Sequence, residues 1–163
     1  MYSNTSPLSN LAVVGHLPLL WRFYERIIIP TAVWDELSEL GGGKALEALE
    51  DARAEGLIQV LEVQNQSLVL LLCEDLHQGE AEAIALACEG KADLLLMDEH
   101  DGRAAAERLG IPISGVLGVL RRARREGLIG PLKAEILRLR TQAHFFIAPK
   151  LEEALLRSVG EMA

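Results

Sequence analysis

Gly79-Glu-Ala-Glu-Ala-Ile-Ala-Leu-Ala-Cys-Glu-Gly-Lys-Ala-Asp-Leu-Leu-Leu-Met-Asp-Glu-His-Asp101 is the stretch on which the reading of this chain turns. From Glu80 to Glu89 it is rich in alanine, and Glu80, Ile84, Ala87 and Cys88 fall on one helical stripe. Gly90 is expected to stop that helix. Ala92 to Met97 is a short apolar run bounded by charge, the pattern of a strand buried on both faces of a parallel sheet. A helix of about ten residues descends ~15 Å, and a strand of about five climbs back a similar distance. Glu80 and Asp98 should therefore end at one level, the carboxyl edge of the sheet, where open α/β folds bind their ligands.

Outward from this unit the chain alternates. Tyr2 and its neighbours read as a very short strand, which leaves open a coding start upstream; Asn4 stands at the strand's end, level with Glu80 and Asp98 if this strand shares their sheet. Thr5 or Ser6 should cap the helix that follows, and Pro7 suits its first turn. Two short helices, Leu8 to Val14 and Leu17 to Tyr24, are broken at Gly15. Arg26 to Pro30 is a buried strand, and Thr31 should cap a helix ending before Gly41. Lys44 to Glu55 is an amphipathic helix, Gly56 to Val63 a third strand, and Gln64 to Ser67 a polar loop. Leu68 to Cys73 fits either helix or strand. Beyond the central unit come a helix over 101–109, a brief strand at Ile111 to Ser114 and helices over 115–126, 131–141 and 150–159. Strands alternating with helices predict an α/β fold with a parallel sheet.

The composition sets bounds. At 163 residues and 50% hydrophobic, the chain has the size of one domain with a real core. The formal charge of −8 is unevenly spread. Residues 1–101 carry 5 Lys and Arg against 18 Asp and Glu, a balance of −13, whereas residues 102–163 carry 11 against 6, or +5. An acidic first part repels polyanions unless cations intervene, and a basic second part can hold a phosphate backbone. Most such charges in any protein are simply solvated. Cys73 and Cys88 lack metal-ligand spacing and read as small hydrophobes. No signal peptide or membrane span is visible, so a cytoplasmic, reducing location is the default.

Four motifs, Asn4-Thr-Ser-Pro-Leu8, Pro30-x-x-Val-x-x-Glu36, the Gly79 to Ala87 helix and Leu94-Leu-Leu-Met-Asp98, resemble the PIN-domain family, and more closely its DUF3368 branch, related to toxin-type PIN ribonucleases. The likeness runs through Gly115-Val-Leu-Gly118 and the helices beyond. It implies a three-layer α/β/α sandwich with a mainly parallel central sheet and additional C-terminal helices, in a single domain whose core spans about 1–126 and whose helical extension spans about 127–163. It also implies three or four carboxylates at the sheet's carboxyl edge, holding Mg²⁺ or Mn²⁺ for phosphodiester hydrolysis of RNA. Carried over by position, the acids fall on Asn4, Glu36, Glu80 and Asp98, with Asp101 as an extra ligand. Thr5 and Ser6 match hydroxyls that support the first acid or a water at the metal.

Asn4 departs from that pattern, because an amide offers a neutral carbonyl oxygen where a carboxylate offers charge. The resemblance thus supports two expectations: a metal-dependent ribonuclease, as in the toxin of a toxin–antitoxin pair, or an impaired PIN fold that binds RNA or a protein without cutting. Toxin-type relatives also imply a homodimer and an antitoxin that sets a basic side chain into the acidic pocket. An unrelated α/β hydrolase or phosphatase using Asp98 ranks last, for want of a phosphate-cradling loop.

Other residues weigh less. Glu82 points about 200° from Glu80 on an ideal helix and reads as surface. Glu99 and His100, next to Asp98, suggest a supporting or general-base role, but a helix start attracts such residues anyway and the ordinary account is favoured for both; His16, His77 and His144 lack ligand spacing. Arg121, Arg122 and Arg125 form the densest basic cluster, suited to RNA phosphates or to a solvated helix end. Trp21, Phe23 and Trp34 read as core or dimer contacts rather than stacking platforms.

Overall fold

The computed structural model describes residues 1–162. Five short strands form one wholly parallel sheet: β1 (Tyr2–Ser3), β2 (Ile27–Pro30), β3 (Ile58–Leu61), β4 (Leu95–Leu96) and β5 (Ile113–Ser114), in the order β3-β2-β1-β4-β5. The chain thus begins in the middle strand, builds outward to one side, and returns to the other. The reversal falls between β1 and β4, and in open parallel sheets such a switch point is where the carboxyl ends leave a crevice.

Among the described residues ten helices accompany the strands: α1 (Thr5–Val13), α2 (Pro18–Phe23), α3 (Thr31–Ser38), α4 (Lys44–Ala54), α5 (Gln66–Leu72), α6 (Gln78–Glu89), α7 (His100–Arg108), α8 (Val116–Arg125), α9 (Leu132–Gln142) and α10 (Pro149–Ser158). The ambiguous run at 68–73 is therefore helical. Asn65 decides it locally, since its side chain accepts the Leu68 N–H and starts a turn. Strands are shorter than their apolar runs, with four residues from the predicted 56–63 and two from 92–97. Apolar pattern marks what is buried, while ladder pairing depends on what lies alongside.

The main hydrophobic cluster takes Leu8 and Leu11 from α1, Ile27 and Ile29 from β2, Leu95 and Leu96 from β4, and Val119 and Leu120 from α8. Leu132, Ile136, Leu139, Leu155 and Leu156 bring α9 and α10 into the same cluster. A smaller one lies between α5 and α6, where Val69, Ala81, Ala85 and Leu86 pack with Tyr2 and Ile28. The last helices are tied down by Glu161, whose carboxylate accepts from Arg124 Nε at 2.7 Å and from the N–H groups of Leu132 and Lys133 at the start of α9. No helix among the described residues is long and apolar enough to cross a membrane.

Gly90 does end α6, but not by a left-handed turn; its φ is −82° and Lys91 takes the positive φ of 48°. Glycine is needed there because a Cβ would run into the Tyr2 hydroxyl. Gly90→Ala should therefore cost about 2 kcal/mol by overpacking, and much less in a Tyr2→Ala background. Urea unfolding of the four variants of this cycle checks it, and additive losses would refute the contact.

Candidate active site

Each strand end hands its next residue to the carboxyl edge. After β1 comes Asn4, whose backbone N–H donates to Leu96 O at 3.0 Å and so sits beside the end of β4. Asn4 is 2 % exposed. Its Nδ2 donates to Glu99 Oε2 at 2.9 Å and lies 3.4 Å from Met97 Sδ. Asn4 Oδ1 is buried with no hydrogen-bond partner.

Thr5 and Ser6 open α1, yet neither side chain caps it. Their hydroxyls turn outward instead, Thr5 Oγ1 donating to Glu36 Oε2 and Ser6 Oγ donating to Glu99 Oε1. A charged acceptor outbids a backbone cap because such bonds are about twice as strong as neutral ones. Likewise Thr31 is the first helical residue of α3 rather than its cap, Pro30 taking that position. The Ala32 N–H is met by Glu82 Oε2 at 3.2 Å. Glu82 thus supports the start of α3 as a half-buried cap, a fuller role than the surface position predicted for it.

Glu36 reaches this edge from α3, and it packs so closely on Gly79 that any Cβ there would overlap its carboxylate. Glu80, 7 % exposed in the first turn of α6, accepts the His77 N–H at 3.0 Å, which satisfies one free amide at that helix start. Burial pushes its carboxyl up; the His77 amide opposes, and the charges of Glu99 and Asp101 add to the rise. Asp98 follows β4 and lies against Gly115, again where a Cβ would overlap the carboxylate. Its Oδ1 accepts the Val116 N–H at 2.9 Å, at the start of α8, while Oδ2 is buried without a partner. Burial raises the Asp98 pKa to about 7, with Glu99 adding to the rise, and the Val116 amide and Arg103 working against it.

Glu99 is the residue the sequence reading passed over. It alone is held by both Asn4 and Ser6, and its charge acts on both Glu80 and Asp98. A signal was present in the Asp98-Glu99 doublet. Successive residues of an extended strand end point to opposite sides, so one acid turns to β5 and α8, and the other to β1 and α1.

Asp101, by contrast, is turned to solvent, its side chain 81% exposed and 3.2 Å from His100 Nδ1. Arg121, Arg122 and Arg125 lie away from the edge, along α8. Glu36, Glu80 and Asp98 share the edge but do not close on one point. Among the described residues no three His, Cys, Asp or Glu side chains come close enough to hold a metal ion by themselves. The oxygen donors along the edge are of mixed kind, the Asn4 carbonyl, the Thr5 and Ser6 hydroxyls and the carboxylates. All are hard oxygen ligands, and two buried oxygens there lack partners. In kind this set fits a hard divalent cation, not a soft one.

A family model, DUF3368, described as a PIN domain, matches residues 1–161. No curated protein matches the chain.

A raised carboxyl pKa has a definite sign in stability. Between the ordinary aspartate value of 3.8 and about 7 the folded protein binds the proton more tightly than the unfolded chain. Stability therefore falls as pH rises through that window, and the penalty is complete above it. In chelator the wild type should lose roughly 2 kcal/mol between pH 4.5 and pH 8, a figure discounted for solvent on the open side. Asp98→Asn should flatten the profile, as read by urea midpoints; parallel profiles would show that the burial of Asp98 carries no such penalty.

Proposed function

Because the chain belongs to the DUF3368 family of PIN domains, a nuclease-type family, we propose that it is a divalent-metal-dependent ribonuclease acting at the carboxyl edge of β1 and β4. The observation that carries this reading is the pair of buried, partnerless oxygens, Asn4 Oδ1 and Asp98 Oδ2, at the topological switch point. Burying such atoms costs about 1–3 kcal/mol each. A site that keeps two of them is built for a ligand that satisfies them.

Asn4, Glu36, Glu80, Asp98 and Glu99 would hold Mg²⁺ or Mn²⁺, and such an ion, when bound, screens phosphate charge and makes water a better nucleophile near neutral pH. The chain's own residues set the rest. Asn4 and Ser6 fix both oxygens of Glu99. Thr5 fixes Glu36. Asp98 is held by the Val116 amide through Oδ1, which leaves Oδ2 as the oxygen it would offer to the ion. Glu80, its affinity for protons raised by burial, supplies charge that strengthens when a cation is near.

A finer role goes with this reading: the toxin of a toxin–antitoxin pair, working as a cytoplasmic homodimer and restrained by a partner that sets a basic side chain into the acidic edge. Its support is the −13 balance of residues 1–101 and exposed Leu70 and Leu71 on α5.

One observation favours a second reading, an RNA- or protein-binding module without catalysis. The Asn4 amide and the Ser6 hydroxyl occupy both Glu99 oxygens, and an amide stands where PIN nucleases at large carry a carboxylate. Cleavage of mixed-sequence fluorescent RNA separates the two. Metal-dependent cutting by wild type, reduced at least about 100-fold by Asp98→Asn and by Glu99→Gln, is expected of the nuclease. Silence from wild type with activity in Asn4→Asp would favour the binding module.

A further inference from the structure

A cleft of about 520 Å³ lies beyond β5, lined by Tyr24, Ser114, Gly118, Arg121, Arg122 and Arg125 among others. Its lining carries three arginines against one carboxylate, Glu126. Arg122 Nε pairs with Glu126 at 2.8 Å, and its guanidinium lies flat over the Phe23 ring at 4.1 Å. Arg121 and Arg125 have no carboxylate within ion-pair distance among the described residues. They stand four apart on one face of α8, where like charges oppose each other. Arg124, on another face, is spent on Glu161. The last turn of α8 therefore gathers uncompensated positive charge in a concavity, and clefts of that kind concentrate anions.

The elements that carry the cleft, β5 and α8, also reach the acidic edge. Ser114 ends β5, and its carbonyl accepts the Met97 N–H at 2.9 Å. The next two residues touch Asp98, Gly115 by contact and Val116 by its amide. α8 then runs back along the sheet, carrying Arg121 about 8 Å and Arg125 about 14 Å from Val116 along the helix axis. Gly118 keeps the wall low, since a Cβ there would overlap Ser114 Oγ. The Ser114 hydroxyl, half-buried, sits where the cleft approaches the edge.

We propose that this cleft holds backbone phosphates of the RNA strand whose scissile phosphate lies at the acidic edge, so that the strand leaves over the β5 side. The proposal rests on the ribonuclease reading for its register and on the cleft alone for its affinity. The occupant is a single strand. Recognition is by charge, since backbone phosphates carry no sequence, and Tyr24 is the aromatic side chain in the lining.

The test is binding of a fluorescein-labelled, mixed-sequence single-stranded RNA to full-length protein carrying Asp98→Asn, in chelator, across a potassium chloride series. Adding Arg121→Gln and Arg125→Gln should raise Kd about tenfold and lower the slope of log Kd against log salt by about 1.4, for two lost contacts on a single strand. The double Lys variant should keep most of the slope, and Arg157→Gln on α10 should change nothing. Relief of the Arg121–Arg125 repulsion should leave the urea midpoint of the Gln variant at or above that of its parent, so misfolding would not mimic the result. With Asp98 intact, the Gln pair should raise KM and spare kcat. Parental Kd and slope in the Gln variant would overturn the cleft assignment even if the protein cuts RNA. Lost binding in a protein that never cuts would sustain the cleft and sink the ribonuclease.

Discussion

Two residues in the middle of the sheet govern everything built around them. β1 is only Tyr2–Ser3, yet it pairs with β2 on one side and β4 on the other. Tyr2 N–H donates to Leu94 O, Asn4 N–H donates to Leu96 O, and Ile28 N–H donates to Met1 O, each within 3.0 Å. With so short a ladder, position along the strand has little freedom. A slip of one residue would turn Ser3 and Tyr2 to the wrong faces, bury the Tyr2 hydroxyl away from Gly90, and draw Asn4 off Glu99. The fit between Tyr2 and Gly90 acts as a register pin, and the acidic edge inherits its alignment from it.

That edge solves a problem of crowding. Glu36, Glu80, Asp98 and Glu99 set four carboxylates along one edge, and the charge of Glu99 raises the proton affinity of both Glu80 and Asp98. The fold answers with helix starts. α1 contributes the Thr5 and Ser6 hydroxyls, α6 the amide of His77 just before it, and α8 the Val116 amide. Helix N-termini carry partial positive charge, so these groups offset part of the repulsion. Arg103, whose guanidinium donates to the Met97 carbonyl at 2.8 Å, adds its charge against the rise at Asp98. Small residues make the approach feasible: Gly79 and Gly115 leave room for the carboxylates of Glu36 and Asp98, where any other residue would collide.

How much of this could be read in the sequence follows from the range of the forces involved. The helix at 78–89, the parallel sheet and the placing of Asn4 and Asp98 at strand ends are local patterns plus one geometric rule, and they were legible. The length of strands was not, because pairing depends on neighbours far along the chain. Nor was the use of hydroxyls. Thr5 and Ser6 have the sequence signature of a cap, and only the arrival of Glu36 and Glu99 from 31 and 93 residues away redirects them. Glu99 itself was hidden by Asp98 beside it, since a doublet of acids at a helix start has an ordinary explanation in the helix dipole.

The order of the strands bears on when the crevice comes into being. Tyr2 and Ser3 precede β4 by more than ninety residues, and the Val116 amide comes later still. Pairings so distant in sequence form slowly, and during translation they cannot form at all until their partners have left the ribosome. A nascent chain of this protein therefore carries its acids dispersed, each on a segment that cannot yet bring them together. The sheet's winding, a matter of architecture, also acts as a timer that withholds the assembled edge until α8 has been made.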